Sequence, residues 1–68
     1  MNAREEIQSI IDTLTESLAD ADKFDGGNDS AGVRVRKALK AASDACKTSR
    51  ATVQEERNSR KAAKASIA

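Results

Sequence analysis

Two adjacent glycines divide the chain into two helical patterns and give it a point at which it can reverse direction. Gly26 and Gly27 follow the first pattern, and glycine readily adopts the left-handed conformation that ends helices. Asn28 comes next and opens a run of residues that favour helix N-termini. The sequence has no proline and one other glycine. We therefore predict a turn at Gly26, Gly27 and Asn28 between two helices.

Apolar residues recur at alternating steps of three and four on both sides of this turn, which is the heptad spacing of helices that pack side by side. The first helix is expected to begin at Asn2, in a capping box with Glu5, and to run to about Phe24 or Asp25. The predicted fold class is all-α: an antiparallel two-helix hairpin, coiled-coil-like, with a longer second helix. Residues assigned to its core or to a dimer interface are Ile7, Ile10, Ile11, Leu14, Leu18, Val35, Leu39 and Cys46.

Folding the second pattern onto the first gives a register with large residues mostly opposite small ones, which favours close packing. Leu18 then faces Leu39, and Asp22 lies beside Arg36 as an opposite-charge pair. Ile10 lies off this seam and widens the apolar stripe beyond what two helices can bury. Pairing into a dimeric four-helix bundle is therefore expected.

The predicted organisation has two parts. Residues 1–53 form the helical hairpin. Residues 54–68 have no partner helix within the chain, so they are expected to form a basic helical overhang or a frayed tail.

Charge is distributed unevenly along the chain. Residues 1–29 hold two cations and eight acids, whereas residues 30–68 hold ten cations and three acids, for a net charge of +1. A basic stripe along a helix is typical of proteins that lie against a phosphate backbone. Since Phe24 is the sole aromatic residue, base stacking is not expected. The candidate nucleic-acid-binding residues are Arg34, Arg36, Lys37, Lys40, Lys47, Arg50, Arg57, Arg60, Lys61 and Lys64.

Several function classes are disfavoured by composition. One cysteine and no histidine leave no pattern for a metal site, and no apolar run is long enough for a membrane span. The carboxylates of the first helix, such as Glu6 and Asp20, are placed on its outward face, where no cleft would perturb them. We therefore expect no enzyme, catalytic residue, cofactor, metal, membrane contact or small-molecule substrate, and a cytoplasmic location.

A second interpretation of the same charges stays open. The acidic first helix and the basic second helix could satisfy each other between copies. The chain would then be a self-assembling coiled-coil structural or protein-interaction module, for example a virion or scaffold component, with no nucleic-acid role.

Gly27-Asn28, the run Ala31-Gly32-Val33-Arg34-Val35-Arg36-Lys37-Ala38-Leu39, and Arg50 with Val53-Gln54-Glu55 resemble the bacterial linker-histone-like family, best known from chlamydial-type histone-like proteins. The likeness covers roughly residues 23–58. It implies a small helical, nucleoid-associated protein that binds duplex DNA with little sequence preference and takes part in chromosome condensation. The sequence itself leaves two locations open for such a protein, the nucleoid of a cell and a packaged viral genome. Arg34, Arg36, Lys37 and Arg50 are the matched basic residues. Because the Lys- and Ala-rich tail is short here, binding is expected to be weak and salt-sensitive.

Overall fold

The computed structural model describes residues 2–67, with side chains up to residue 64. Three helices make up this range: α1 spans Ala3–Glu16, α2 spans Leu18–Asp25, and α3 spans Asp29–Ile67. The predicted all-α class is confirmed, and no strand occurs within residues 2–67. The two outer limits of the predicted parts, Met1 and Ala68, lie outside the described residues. We refer to α1 and α2 together as the first arm and to α3 as the second arm.

The first arm begins with a side-chain cap and is interrupted once. Asn2 Oδ1 accepts a hydrogen bond from the Glu5 backbone N–H at 2.9 Å, which satisfies one of the free donors of the first turn. Ser17 separates α1 from α2 because its hydroxyl donates to the Leu14 carbonyl at 2.7 Å and competes with the helical pattern. The Ala21 N–H donates to the Ser17 carbonyl at 2.9 Å, so the helix resumes at once.

Gly26, Gly27 and Asn28 separate α2 from α3. The Gly27 N–H donates to the Phe24 carbonyl at 2.9 Å, and the Asn28 N–H donates to the Lys23 carbonyl at 3.0 Å. This pair of bonds is a Schellman motif, which requires a left-handed residue at Gly27, whose φ is 105°. Asn28 Oδ1 then accepts from the Ala31 N–H at 3.1 Å and caps α3.

Both helices of the first arm pack against α3. On the first arm, most of the half-buried contact residues come one position before a predicted one: Ile10 precedes Ile11, Thr13 precedes Leu14, and Ser17 precedes Leu18. The half-buried or buried residues along this contact are Glu6, Ile10, Thr13, Ser17, Asp20 and Ala21 on the first arm, and Ala31, Gly32, Val35, Ala38, Ala42, Ala45 and Ser49 on α3. The contact is therefore built mainly from small side chains.

The predicted seam is wrong as a description of the hairpin core. Ile7, Ile11, Leu14, Leu18 and Leu39 are exposed large residues, and Cys46 is exposed too. The physical reason is close approach: alanines at the contact let two helix backbones come together, which turns the bulkier side chains out of the gap. Ile10 and Val35, by contrast, do lie half-buried at the contact.

The resulting monomer has almost no interior. Ala31 and Ala42 are the buried hydrophobic residues of the part of the chain that the structure describes. The molecule is a rod with extents of 61 × 15 × 14 Å. A domain this small with so little buried apolar surface needs a further source of stability, such as association.

The helix α3 continues past the start of α1. Asn2 and Ala3 share a groove with Val53 and Arg57, which places the beginning of the first arm level with this part of α3. The backbone stays helical through Ile67 with no break at residue 54. The helix shows no boundary at residue 54. The division into a hairpin of residues 1–53 and a basic overhang of residues 54–68 therefore remains a prediction about what each part does.

Candidate nucleic-acid interface

Seven cations of α3 follow one another at steps of three, four or seven residues, and such steps keep side chains along one flank of a helix. We call this set the basic row. Its members are Arg36, Lys40, Lys47, Arg50, Arg57, Lys61 and Lys64. The other three predicted cations are not counted in the row. Lys37 and Arg60 border it, since Lys37 shares a hollow with Arg36 and Lys40 and Arg60 lies one helical turn from Arg57, whereas Arg34 is turned towards the first arm.

Arg34 lies at the contact between the two arms. Its Nε is 2.9 Å from Asp20 Oδ1, and the Asp20 side chain is only 27% exposed. Arg34, one of the candidate nucleic-acid-binding residues, is therefore turned towards the first arm and paired there. The expected pair of Asp22 with Arg36 is not among the ion pairs of the described residues, because the register is displaced from the predicted one.

Two further ion pairs lie within α3. Lys40 Nζ is 3.4 Å from Asp44 Oδ2, and Arg60 Nε is 3.6 Å from Glu56 Oε1. Both join residues one helical turn apart, and all four side chains are well exposed. Pairs of this kind contribute about 0.3–0.5 kcal/mol, so they hold their cations only weakly.

Most of the basic row has no acidic partner. Among the residues with described side chains, ion pairs are absent at Arg36, Lys47, Arg50, Arg57, Lys61 and Lys64. Arg57 makes a long hydrogen bond of 3.5 Å to the Gln54 side chain, which leaves its charge uncompensated. Six of the seven cations of the row therefore make no ion pair among the residues with described side chains.

The acids of the first arm lie mainly away from this flank. Glu5, Asp12 and Glu16 are exposed, as expected. Glu6 and Asp20 differ from the prediction: both are half-buried at the contact with α3, and Glu6 Oε2 is shielded from water without a hydrogen-bond partner in the described structure. Glu6 borders a groove together with Ser49 and Arg50 of α3, a position that the heptad assignment did not predict.

An apolar face lies beside the basic row. One groove is lined by Ile7, Cys46, Arg50 and Val53 together, so these four residues share a side of the molecule. Helical steps of three, four and seven extend that side to the remaining exposed apolar residues. We define the apolar face as Ile7, Ile11, Leu14 and Leu18 of the first arm with Leu39, Cys46 and Val53 of α3.

The opposite side of the molecule is narrow and polar. A small hollow on that side is bordered by Ser9, Thr13 and Ala41. Asp20 is seven residues after Thr13 and Arg34 is seven residues before Ala41, so their ion pair lies on the same side of the molecule. The structure thus separates an apolar face with a cationic border from a polar face with most of the first arm's acids. The sequence was sufficient to predict the cations. Their separation from the polar face depends on which residues of the two arms meet, and the structure places that contact one residue away from the predicted one.

This arrangement of side chains suits electrostatic binding of a partner rather than coordination of a metal ion. Within the described residues no group of His, Cys, Asp and Glu could hold a metal ion. In the same range, no helix combines the length and hydropathy that crossing a bilayer requires. The row consists of lysine and arginine side chains, which are the groups that neutralise phosphates along a duplex.

Comparison with known proteins gives one finding. Neither the curated proteins nor the solved structures contain a match to this chain. Residues 4–59, most of the chain, match the family described as "Histone H1-like protein Hc1", which is a structural, DNA-binding family and not a family of enzymes. With the basic row and the helical fold in place, this match shows that the chain belongs to the histone H1-like Hc1 family and supports a histone-like, DNA-binding role.

Proposed function

We propose that the protein binds double-stranded DNA without sequence preference, by laying the basic row of α3 along the phosphate backbone. The observation that carries this proposal is that the row has few acidic partners. Lysine and arginine contacts to phosphate fix position without reading bases, and the chain offers no stacking platform beyond Phe24.

The dimensions of the row support backbone contact. From Arg36 to Lys64 the row is about 42 Å long at the helical rise of 1.5 Å per residue. This length corresponds to about 12 base pairs of duplex. A straight helix can follow a curved duplex over only part of that length, so each chain would neutralise a handful of phosphates and bind in a salt-sensitive way.

The hairpin belongs to the same proposal. We infer that the two arms run antiparallel in a coiled-coil-like hairpin, since Phe24 meets Gly32 near the turn while Ala3 and Val53 share a groove at the far end. A homodimer is the proposed working form, because the apolar face is too large for a monomer to leave exposed. Nucleoid association, with modest condensation of DNA, follows from non-specific binding.

Replacement of the row tests this function. Changing Lys47, Arg50 and Arg57 together to glutamine should weaken binding to any duplex by about tenfold or more at low salt, and should lower the salt slope by about 0.9 per lost phosphate contact. The control is Lys23→Gln, which removes an exposed cation of the first arm from outside the row and should weaken binding less than any single replacement within the row. Gel-shift titrations on two duplexes of unrelated sequence measure both effects, and unchanged affinity of the triple variant would refute the proposed role of the row.

The self-assembling module remains a second candidate, favoured by the exposed apolar face. It predicts association of copies with no shift of duplex DNA. Sedimentation of the wild-type chain with and without a duplex separates the two functions. Co-sedimentation with the duplex supports DNA binding, whereas association of copies without the duplex supports the structural module.

A further inference from the structure

The apolar face is uneven along its length. Leu18 is 61% exposed and Leu39 is 55% exposed, and both lie in the half of the hairpin next to the turn. The other half holds a groove of about 440 Å³, lined by Ile7, Ile10, Cys46 and Val53 among others. Ile7 at the rim of this groove is itself 56% exposed, and a smaller apolar groove of about 260 Å³ lies at the turn beside Phe24 and Val35. Leu18 and Leu39 lie between the two grooves, and we call this pair the leucine ridge.

We propose that a second copy of the chain covers this face in the reversed direction, so that the leucine ridge of each copy enters the groove of the other. A two-fold interface uses the same patch on both copies, so a ridge must meet a groove on that patch. A parallel arrangement would set ridge against ridge and leave two grooves empty. The reversed arrangement therefore buries more apolar surface and leaves fewer voids.

The positions of the ridge and the groove agree with a single two-fold axis. The midpoints are counted in residues along each helix. On α3, the midpoint between Leu39 and the groove residues falls near Asp44. On the first arm, the midpoint between Leu18 and the groove residues falls near Asp12. These two midpoints lie level with each other across the hairpin, because the neighbouring residues Thr13 and Ala42 meet at one hollow. One axis can therefore relate both arms at once.

The available area is sufficient for association. The paired part of the hairpin is about 35 Å long at the helical rise, so its flat footprint is roughly 500 Å² per copy. Two copies then cover about 1,000 Å² before side-chain relief is counted, which is the lower limit for a specific interface.

Reversed stacking brings the two α3 helices together along one side of the dimer. Relative to an axis near Asp44, Arg36 lies level with Arg50 of the second copy, and Lys40 lies level with Lys47 of the second copy. The two basic rows then form one composite surface. It extends about 60 Å between the two Lys64 positions, which corresponds to about 18 base pairs.

Association and DNA binding are linked in this arrangement. Without DNA, the facing cations repel one another and oppose the dimer. A duplex neutralises both rows, so it should strengthen association, and by reciprocity association strengthens DNA binding. This part of the inference depends on the proposed function, whereas the reversed stacking itself does not.

A distance measurement tests the stacking directly. In a Cys46→Ser background, a nitroxide spin label on Asn58→Cys should lie about 45 Å from its counterpart if the α3 helices run in opposite directions about the axis. A parallel dimer would place the two labels about 20 Å apart. The shorter distance, or a chain that stays monomeric at millimolar concentration, would overturn the proposal.

A matched pair of variants tests the interface. Leu39 and Val33 are both 55% exposed on α3, but Leu39 lies on the ridge and Val33 lies on the outward side. Leu39→Gln should weaken dimerisation at least tenfold in sedimentation equilibrium without DNA, whereas Val33→Gln should change it less than twofold. Equal effects of the two substitutions would contradict the assignment of the ridge.

The linkage is tested with Lys47→Gln and its control Lys23→Gln on the first arm. Lys47→Gln should tighten the DNA-free dimer by about threefold, since it removes a repulsion, and should weaken binding to an 18-base-pair duplex. Lys23→Gln should leave the dimer unchanged. If the wild-type chain dimerises with the long label distance but binds no duplex, the proposed function fails and the stacking stands; if it binds duplex as a monomer, the stacking fails and the function stands.

Discussion

The phenyl ring of Phe24 lies directly against the α-carbon of Gly32. A β-carbon on Gly32 would be 2.5 Å from Cδ1 of the ring and 2.7 Å from Cε1, which is closer than two carbons can approach. The last residues of α2 and the first turn of α3 are thus locked together beside the hairpin turn. The contact explains why a glycine is placed in a helix at this position.

The effect of Gly32→Ala should change sign with the residue at position 24. In the wild-type chain, the added methyl displaces the phenyl ring and should destabilise the fold by about 1–2 kcal/mol. In a Phe24→Ala background the space is free, and alanine should stabilise the helix by about 0.5–1 kcal/mol. Urea unfolding of the four variants at one protein concentration measures the coupling, and additive effects would contradict the contact.

Gly27 and Gly26 should respond differently to alanine. Gly27 has a φ of 105°, so Gly27→Ala strains the backbone and should cost about 1–2 kcal/mol. Gly26 has a φ of −80°, and its added methyl would meet two carbonyl oxygens at ordinary contact distance. Gly26→Ala should therefore be neutral or slightly stabilising in thermal unfolding. A loss at Gly26 as large as the loss at Gly27 would contradict the turn geometry.

Close approach of the arms at Ala42 gives a third prediction. Ala42 is 8% exposed at the contact, whereas its neighbour Ala41 is exposed. Ala42→Leu should push the arms apart and destabilise the fold by about 1–3 kcal/mol, and Ala41→Leu should have an effect within about 0.5 kcal/mol. Circular dichroism during thermal unfolding distinguishes the two. Tolerance of leucine at Ala42 would contradict the close approach of the arms at this position.

Arg34 should contribute less to DNA binding than Arg50. Arg34 is held by Asp20 at 2.9 Å, and Arg50 has no ion pair among the described residues. Arg34→Gln should therefore weaken duplex binding less than Arg50→Gln does at the same salt concentration. Fluorescence anisotropy with a labelled duplex compares them. Asp20→Asn should raise the contribution of Arg34, and a larger loss for Arg34→Gln than for Arg50→Gln would contradict this assignment.

The cap at Asn28 should be worth more than an ordinary exposed polar residue. Its side chain accepts the Ala31 N–H at 3.1 Å at the start of α3. Asn28→Ala should cost about 1 kcal/mol in urea unfolding, and Asn28→Asp should retain most of the stability because aspartate also caps helices. Equal losses for the two variants would show that the cap is unimportant.

Local chemistry determined much of this protein without reference to its tertiary structure. The Asn2 cap, the left-handed Gly27 and the Asn28 cap are interactions within a few residues, so sequence spacing is enough to predict a helix, a turn and a second helix. The excess of cations after residue 30 is likewise a property of the chain. The family resemblance in residues 23–58 pointed the same way, and the match over residues 4–59 bears it out.

Only the tertiary structure decided which faces meet. The heptad rule treats large apolar residues as the contact, but the two helices pack through small side chains. The contact is therefore shifted by one residue on both sides, from Leu18 to Ser17 on the first arm and from Leu39 to Ala38 on α3. A shift of one residue rotates a helix by about 100°, which is enough to move Leu18 and Leu39 from the contact to the surface. The same rotation binds Arg34 to Asp20, draws Glu6 into the contact and sets the basic row beside the apolar face. Packing of small side chains is a property of two surfaces together, so no single stretch of sequence could have shown it.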